Sequence, residues 1–96
     1  MKDDKPNRFR IVVEEGSPRG DLYELEQTTR YYVVDNRSGE VVMCFRGELE
    51  ASFGRESGLW ENYTYSGVRA VVLTPDGSEV IVSYCDGREE IVPLPQ

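Results

Sequence analysis

Five side chains in this sequence carry chemistry suited to contact rather than to bond making: Tyr31, Trp60, Tyr63, Tyr65 and Arg69. Tyr, Trp and Arg recur at the energetic centres of protein interfaces, because each offers a large rigid surface together with a polar tip. Tyr32 adjoins the first of them, and 60–65 is the densest aromatic stretch in the chain. Aromatics on a β surface can also stack single-stranded bases. The formal net charge of −7 opposes that use, since its long-range field repels nucleic acid and anionic membranes alike. The same residues also suit the core of a small β fold, which needs large side chains to bury enough area. The sequence leaves both placements open: inward for packing, outward for binding.

Residues that make and break bonds are sparse. Histidine is absent, which removes Ser-His and Cys-His nucleophile pairs and the commonest neutral-pH proton shuttle. Both lysines, Lys2 and Lys5, lie before Pro6, and every later cation is arginine. The carboxylate pairs are Glu14-Glu15, Glu48 with Glu50, and Glu89-Glu90. An acid/base pair needs two environments that separate the pKa values, yet strand neighbours point to opposite faces. Glu48 and Glu50 would share a face and read as a solvated edge. The loop Asp35-Asn36-Arg37-Ser38-Gly39-Glu40 begins like a calcium loop, but Arg37 stands where an oxygen ligand is wanted. Two cysteines without histidine do not make an ordinary zinc site, and no phosphate loop of the G-x-x-x-x-G-K type occurs. The expectation is therefore a protein that is not an enzyme, with no catalytic residues, no cofactor and no metal. Asn36-Arg37-Ser38 and Asn62-Tyr63-Thr64 match the N-glycosylation pattern, a match that arises easily by chance.

The elements that must position these groups are strands. Residues 33–45 and 72–84 align at an offset of 39, each reading strand, polar turn ending in Glu, strand. Phe9, Ile11 and Val13 alternate with Arg8, Arg10 and Val12 over 8–14, as in a half-buried strand. A turn rich in Gly and Pro follows over 15–21. One long strand, bent or straight, is expected from Leu22 to Asp35. The four-residue loop 36–39 would pair Val34 with Val41, Val33 with Val42 and Tyr32 with Met43. The stretch 47–58 admits a strand or one short helix near 48–56, with Leu49 and Phe53 on one side either way. Leu59–Tyr65 reads as a strand, Ser66-Gly67 as a short turn, and 69–74, 79–85 and 88–92 as a meander. Its loops are Pro75-Asp76-Gly77-Ser78 and the two-residue Asp86-Gly87, the latter pairing Val82 with Ile91.

Together these readings predict an all-β fold: a small antiparallel barrel or two-layer sandwich of about seven strands built from hairpins. A single β domain spans 8–93, flanked by a disordered tail at 1–7 and a C-terminal tail at 94–96. No apolar run approaches the roughly 20 residues of a membrane helix, and the charged first residues lack the apolar segment of a secretory signal. A cytoplasmic location follows as the default, with Cys44 and Cys85 as reduced thiols. The function expected is a non-enzymatic protein-binding or assembly module, its partner another protein or a second copy of itself. The alternatives are an acidic protein that captures a basic or nucleic-acid-binding partner and, behind it, a small carboxylate-dependent enzyme. No nucleic acid and no membrane is expected among the partners.

Overall fold

Runs of Val, Ile, Tyr and Thr broken by Gly- and Asp-bearing turns carry the chain through antiparallel strands alone. The computed structural model describes residues 8–95; the tail expected at 1–7 and the final residue, Gln96, lie outside them. The strands are β1 (Phe9–Glu15), β2 (Arg19–Gly20), β3 (Glu24–Asp35), β4 (Val41–Phe53), β5 (Trp60–Leu73), β6 (Glu79–Tyr84) and β7 (Glu89–Pro93). They form one sheet in the order β1-β3-β4-β5-β6-β7, with the short β2 also on β3. The sheet does not close, so the fold is the open, two-layer alternative and not a barrel.

Its shape follows from one strand. β5 pairs with β4 as far as Gly67, which faces Gly47, and with β6 from Val68 onward. At that crossover the backbones touch. A Cβ on Gly47 would collide with the Val68 carbonyl oxygen, and one on Gly67 would lie 2.6 Å from the Arg46 carbonyl oxygen. Gly67 also takes φ 74°, a conformation that L side chains disfavour. Only glycine lets β5 leave the first layer here and fold across it.

Two regions result. In the body, β1 and the adjoining ends of β3 and β4 pack over the second half of β5, β6 and β7. The core there contains Phe9, Val33, Val68, Val71, Val80, Val82 and Leu94. Val33, Val80 and Val82 are wholly buried, each contributing about 1.5–3 kcal/mol by leaving water. Beyond the glycine crossover, β3, β4 and β5 continue as a single-layered arm. The arm ends at the 54–59 turn, where the Phe53 and Trp60 rings meet edge to face at 5.5 Å. The molecule measures 62 × 26 × 18 Å.

Several expectations are revised by this geometry. The 48–56 stretch holds no helix: strand β4 runs through it to Phe53, because long pairing with β3 and β5 outweighs the weak i, i+4 signal of Leu49 and Phe53. Ser66-Gly67 is not a turn but the bend inside β5. A bulge between Val33 and Val34 shifts the first hairpin, so Val33 faces Met43 and Tyr32 faces Cys44, with only Val34–Val41 as expected. The loop at Cys85-Asp86-Gly87 has three residues, closed by the Tyr84 N–H donating to the Arg88 carbonyl at 2.9 Å. The register therefore sets Ile81, not Val82, against Ile91. Leu94, read from the sequence as the start of a tail, is buried at 4% exposure and donates its N–H to the Ser78 carbonyl.

The two similar hairpins share a four-residue loop but not a turn. Gly39 N–H donates to the Asp35 carbonyl four residues back, whereas Gly77 N–H donates to the Thr74 carbonyl three back. The true partner of the first turn is the arm tip, where Gly58 N–H donates to the Gly54 carbonyl, again four back.

Candidate binding groove

A groove of about 430 Å³ opens where the arm leaves the body. Its floor is the inner face of the arm, the face that continues the core: Gln27, Tyr31, Gly47, Leu49 and Tyr65 line it. Cross-strand pairing explains the convergence, since Tyr31 faces Phe45, Leu49 faces Tyr65 and Gly47 faces Gly67, and paired residues share a face. Arg69 and Cys85 close the body side, and Glu15 lies at the rim end of β1.

Arg69 owes its place to a bulge. The β5–β6 pairing passes from Val68–Tyr84 to Ala70–Ser83, leaving Arg69 unopposed, and an unopposed residue re-aims its side chain. The Tyr31 hydroxyl donates to the Arg69 carbonyl at 2.9 Å, joining the first layer to the bulge. Burial pushes the Tyr31 phenol above its ordinary range, and the nearby Cys85 and Glu15 reinforce that shift. Tyr32, on the opposite face, is also raised, by desolvation and then by its hydrogen bond to Glu14. A second concavity lies beside the first, sharing Tyr65, Ser66 and Cys85 and reaching Asp86 and Arg88.

Of the five residues singled out from the sequence, Tyr31, Tyr65 and Arg69 meet in this groove. Tyr63 lies two residues further along β5, 53% exposed, and Tyr65 is 62% exposed. Trp60 is apart from them, half-buried against Phe53 at the arm tip. The aromatics thus divide: Trp60 packs, and Tyr63 and Tyr65 face solvent. Cys44 and Cys85 are both free, Cys44 exposed and Cys85 half-buried.

The outer face of the arm has the opposite character. Glu24, Glu26, Glu48, Glu50 and Glu61 share it, because Glu24 faces Ser52, Ser52 faces Glu61 and Glu26 faces Glu50. Like charges directly opposed on a strand pair repel. Glu48 has Arg46 at 3.6 Å, and Glu61 accepts from the Ser57 hydroxyl at 3.2 Å. Among the described residues, Glu24, Glu26 and Glu50 take part in none of the ion pairs, which involve Asp35, Glu14, Glu48 and Asp86. Sequence reasoning had noticed Glu48 and Glu50 but missed their neighbours. The signal was present: Glu24-x-Glu26 and Glu48-x-Glu50 are both period-2 pairs, and a hairpin between them sets them side by side.

The described residues contain no cluster of His, Cys, Asp and Glu able to hold a metal ion, and no helix long and apolar enough to cross a membrane. The chain matches no protein-family model, no curated protein and no solved structure.

Proposed function

We propose that this protein is a non-enzymatic binding module that holds a protein ligand in the groove between arm and body. One observation carries the reading: Tyr31, Tyr65 and Arg69, drawn from two layers and a bulge, line a single concavity. A hydroxyl-bearing aromatic pair beside an arginine supplies apolar area, hydrogen-bond donors and a charge, the composition typical of interface centres. The two unpaired thiols support a reducing compartment, and we place the protein in the cytoplasm on that ground. Peptide-display selection on the immobilised domain, counter-selected on a Tyr65→Ser/Arg69→Ala variant, tests the reading. Sequences enriched on the wild type alone are expected. Equal enrichment on both surfaces, with the variant folded, would defeat it.

The second reading, electrostatic capture of a basic partner, is supported by the acidic outer face of the arm. Its complex should weaken steeply as salt rises.

A further inference from the structure

We infer that the ligand is an extended segment alternating cationic and apolar residues, which adds as a strand to the free edge of β5 beside the groove. The inference rests on the groove reading above and specifies its partner. Before Gly67, β5 has β4 on one edge, and among the described residues no strand pairs with the other. The direction of its backbone groups follows from a single bond. On β4 the Phe53 N–H donates to the Tyr23 carbonyl at 2.8 Å, on the side away from β5, so by alternation Glu48 and Glu50 direct their backbone groups at their β5 partners Ser66 and Thr64. In an antiparallel strand, alternate residues direct both their N–H and C=O to the same side. Tyr65 and Tyr63 therefore aim theirs at the free edge, while Thr64 and Ser66 bond toward β4. Two donors and two acceptors stand in a row beside the groove, a template for strand addition.

The bulge at Asn62, which takes φ 57°, ends this row toward the tip. On its other side β6 begins to pair at Val68. The docking segment is thus short, confined to the groove mouth. The edge strand β7, by contrast, carries Glu89, Glu90 and Pro93, residues that discourage pairing.

Charge identifies the occupant. A strand added to β5 projects alternate side chains to the two faces of the arm. On the inner face they meet Tyr63, Tyr65 and the groove. On the outer face they approach Glu61 of β5, with Glu50 one strand further in on β4 and Glu24 and Glu26 both two strands in on β3. Glu26 already faces Arg19 across β2 and β3, whereas Glu50 and Glu61 take part in none of the ion pairs among the described residues. Lys or Arg on the added strand would therefore offset the charge of Glu61 and, one strand in, of Glu50. A second copy of this chain is the poorer occupant, since symmetric pairing about β5 would set two such acidic faces side by side.

The test uses two short synthetic peptides, one alternating arginine and valine, the other glutamate and valine. Titration is followed by amide exchange and calorimetry. The arginine peptide is expected to bind, to slow exchange at the Tyr63 and Tyr65 amides, and to weaken about tenfold or more on the Glu50→Gln/Glu61→Gln variant. Tyr63→Pro, which removes an N–H on the free edge, should abolish binding while circular dichroism stays that of the wild type. If that variant unfolds, the charge variants and the glutamate peptide still decide. Equal binding of both peptides, no binding of either, or protection elsewhere overturns the inference. A dimer whose Tyr63 and Tyr65 amides are already protected overturns it in favour of a second copy. Binding that depends on Tyr65 and Arg69 but not on peptide charge overturns the inference and leaves the groove reading standing. Binding at the edge that ignores Tyr65→Ser and Arg69→Ala sinks the groove reading instead.

Discussion

Tyr31 ties the two layers together with one hydroxyl, and its removal separates packing from hydrogen bonding. Tyr31→Phe keeps the ring and leaves the Arg69 carbonyl without that donor. We expect a loss of about 0.5–1.5 kcal/mol in urea denaturation and a less ordered bulge at Arg69. Tyr31, Tyr32 and Tyr84 all have raised phenols, Tyr84 chiefly through its hydrogen bond to Glu90. A folded pKa above the unfolded value means stability that is intact below about pH 10 and declines as pH rises beyond it. Denaturation midpoints should therefore fall above about pH 10, and less so in a variant with Phe at all three positions. Asp76 behaves in the opposite sense. Its carboxyl is held low, first by the Ser78 N–H, then by the Ser78 and Thr74 hydroxyls. Its stabilisation is present above about pH 4 and disappears as pH falls below that. Asp76→Asn should flatten the acid limb of the stability curve, and an unchanged limb would show that the turn is held by other groups.

At the scale of elements, the decisive position is the glycine crossover. Gly67→Ala must adopt a left-handed backbone, costing about 1–2 kcal/mol, and must also push the Arg46 carbonyl aside. A melting temperature close to the wild type would mean that β5 bends elsewhere. The strands themselves were legible from Val, Ile and Tyr periodicity, and the long β3 and both four-residue loops from their turn residues. The crossover was not, because Ser66-Gly67 carries the same residue types whether the chain reverses or only bends. What distinguishes the two is a contact with Gly47, twenty residues earlier, and local pattern does not reveal it. Bulges were hidden for the same reason: an extra residue at Val42 or Arg69 leaves composition unchanged and shifts only the partner. The groove was half visible. Tyr31, Tyr65 and Arg69 stood out by type, but their meeting depends on the bend.

For the whole molecule, elongation is the main physical fact. The radius of gyration is 17.0 Å, against about 12–13 Å for a compact chain of this length. The body alone has a two-layered core, so opening should be uneven. Amides of β6 are expected to exchange slowest, and those of β4 and β5 beyond Gly47 and Gly67 much faster; uniform protection would contradict this division. Val82→Ala should cost about 2 kcal/mol in the global transition, whereas Trp60→Ala should mainly loosen the arm tip. The bulges carry a further consequence for the folding chain. β4 is shared by two hairpins that close from opposite ends, one at the 36–39 turn and one at the arm tip. Each pairing carries a single irregularity near its turn. These act like notches on a ratchet, admitting one alignment of β4 with both neighbours. A slip by one residue would turn that strand over, carrying Glu48 and Glu50 to the groove side and Leu49 into water. The surface that distinguishes the two faces of the arm thus also penalises every misfolded register.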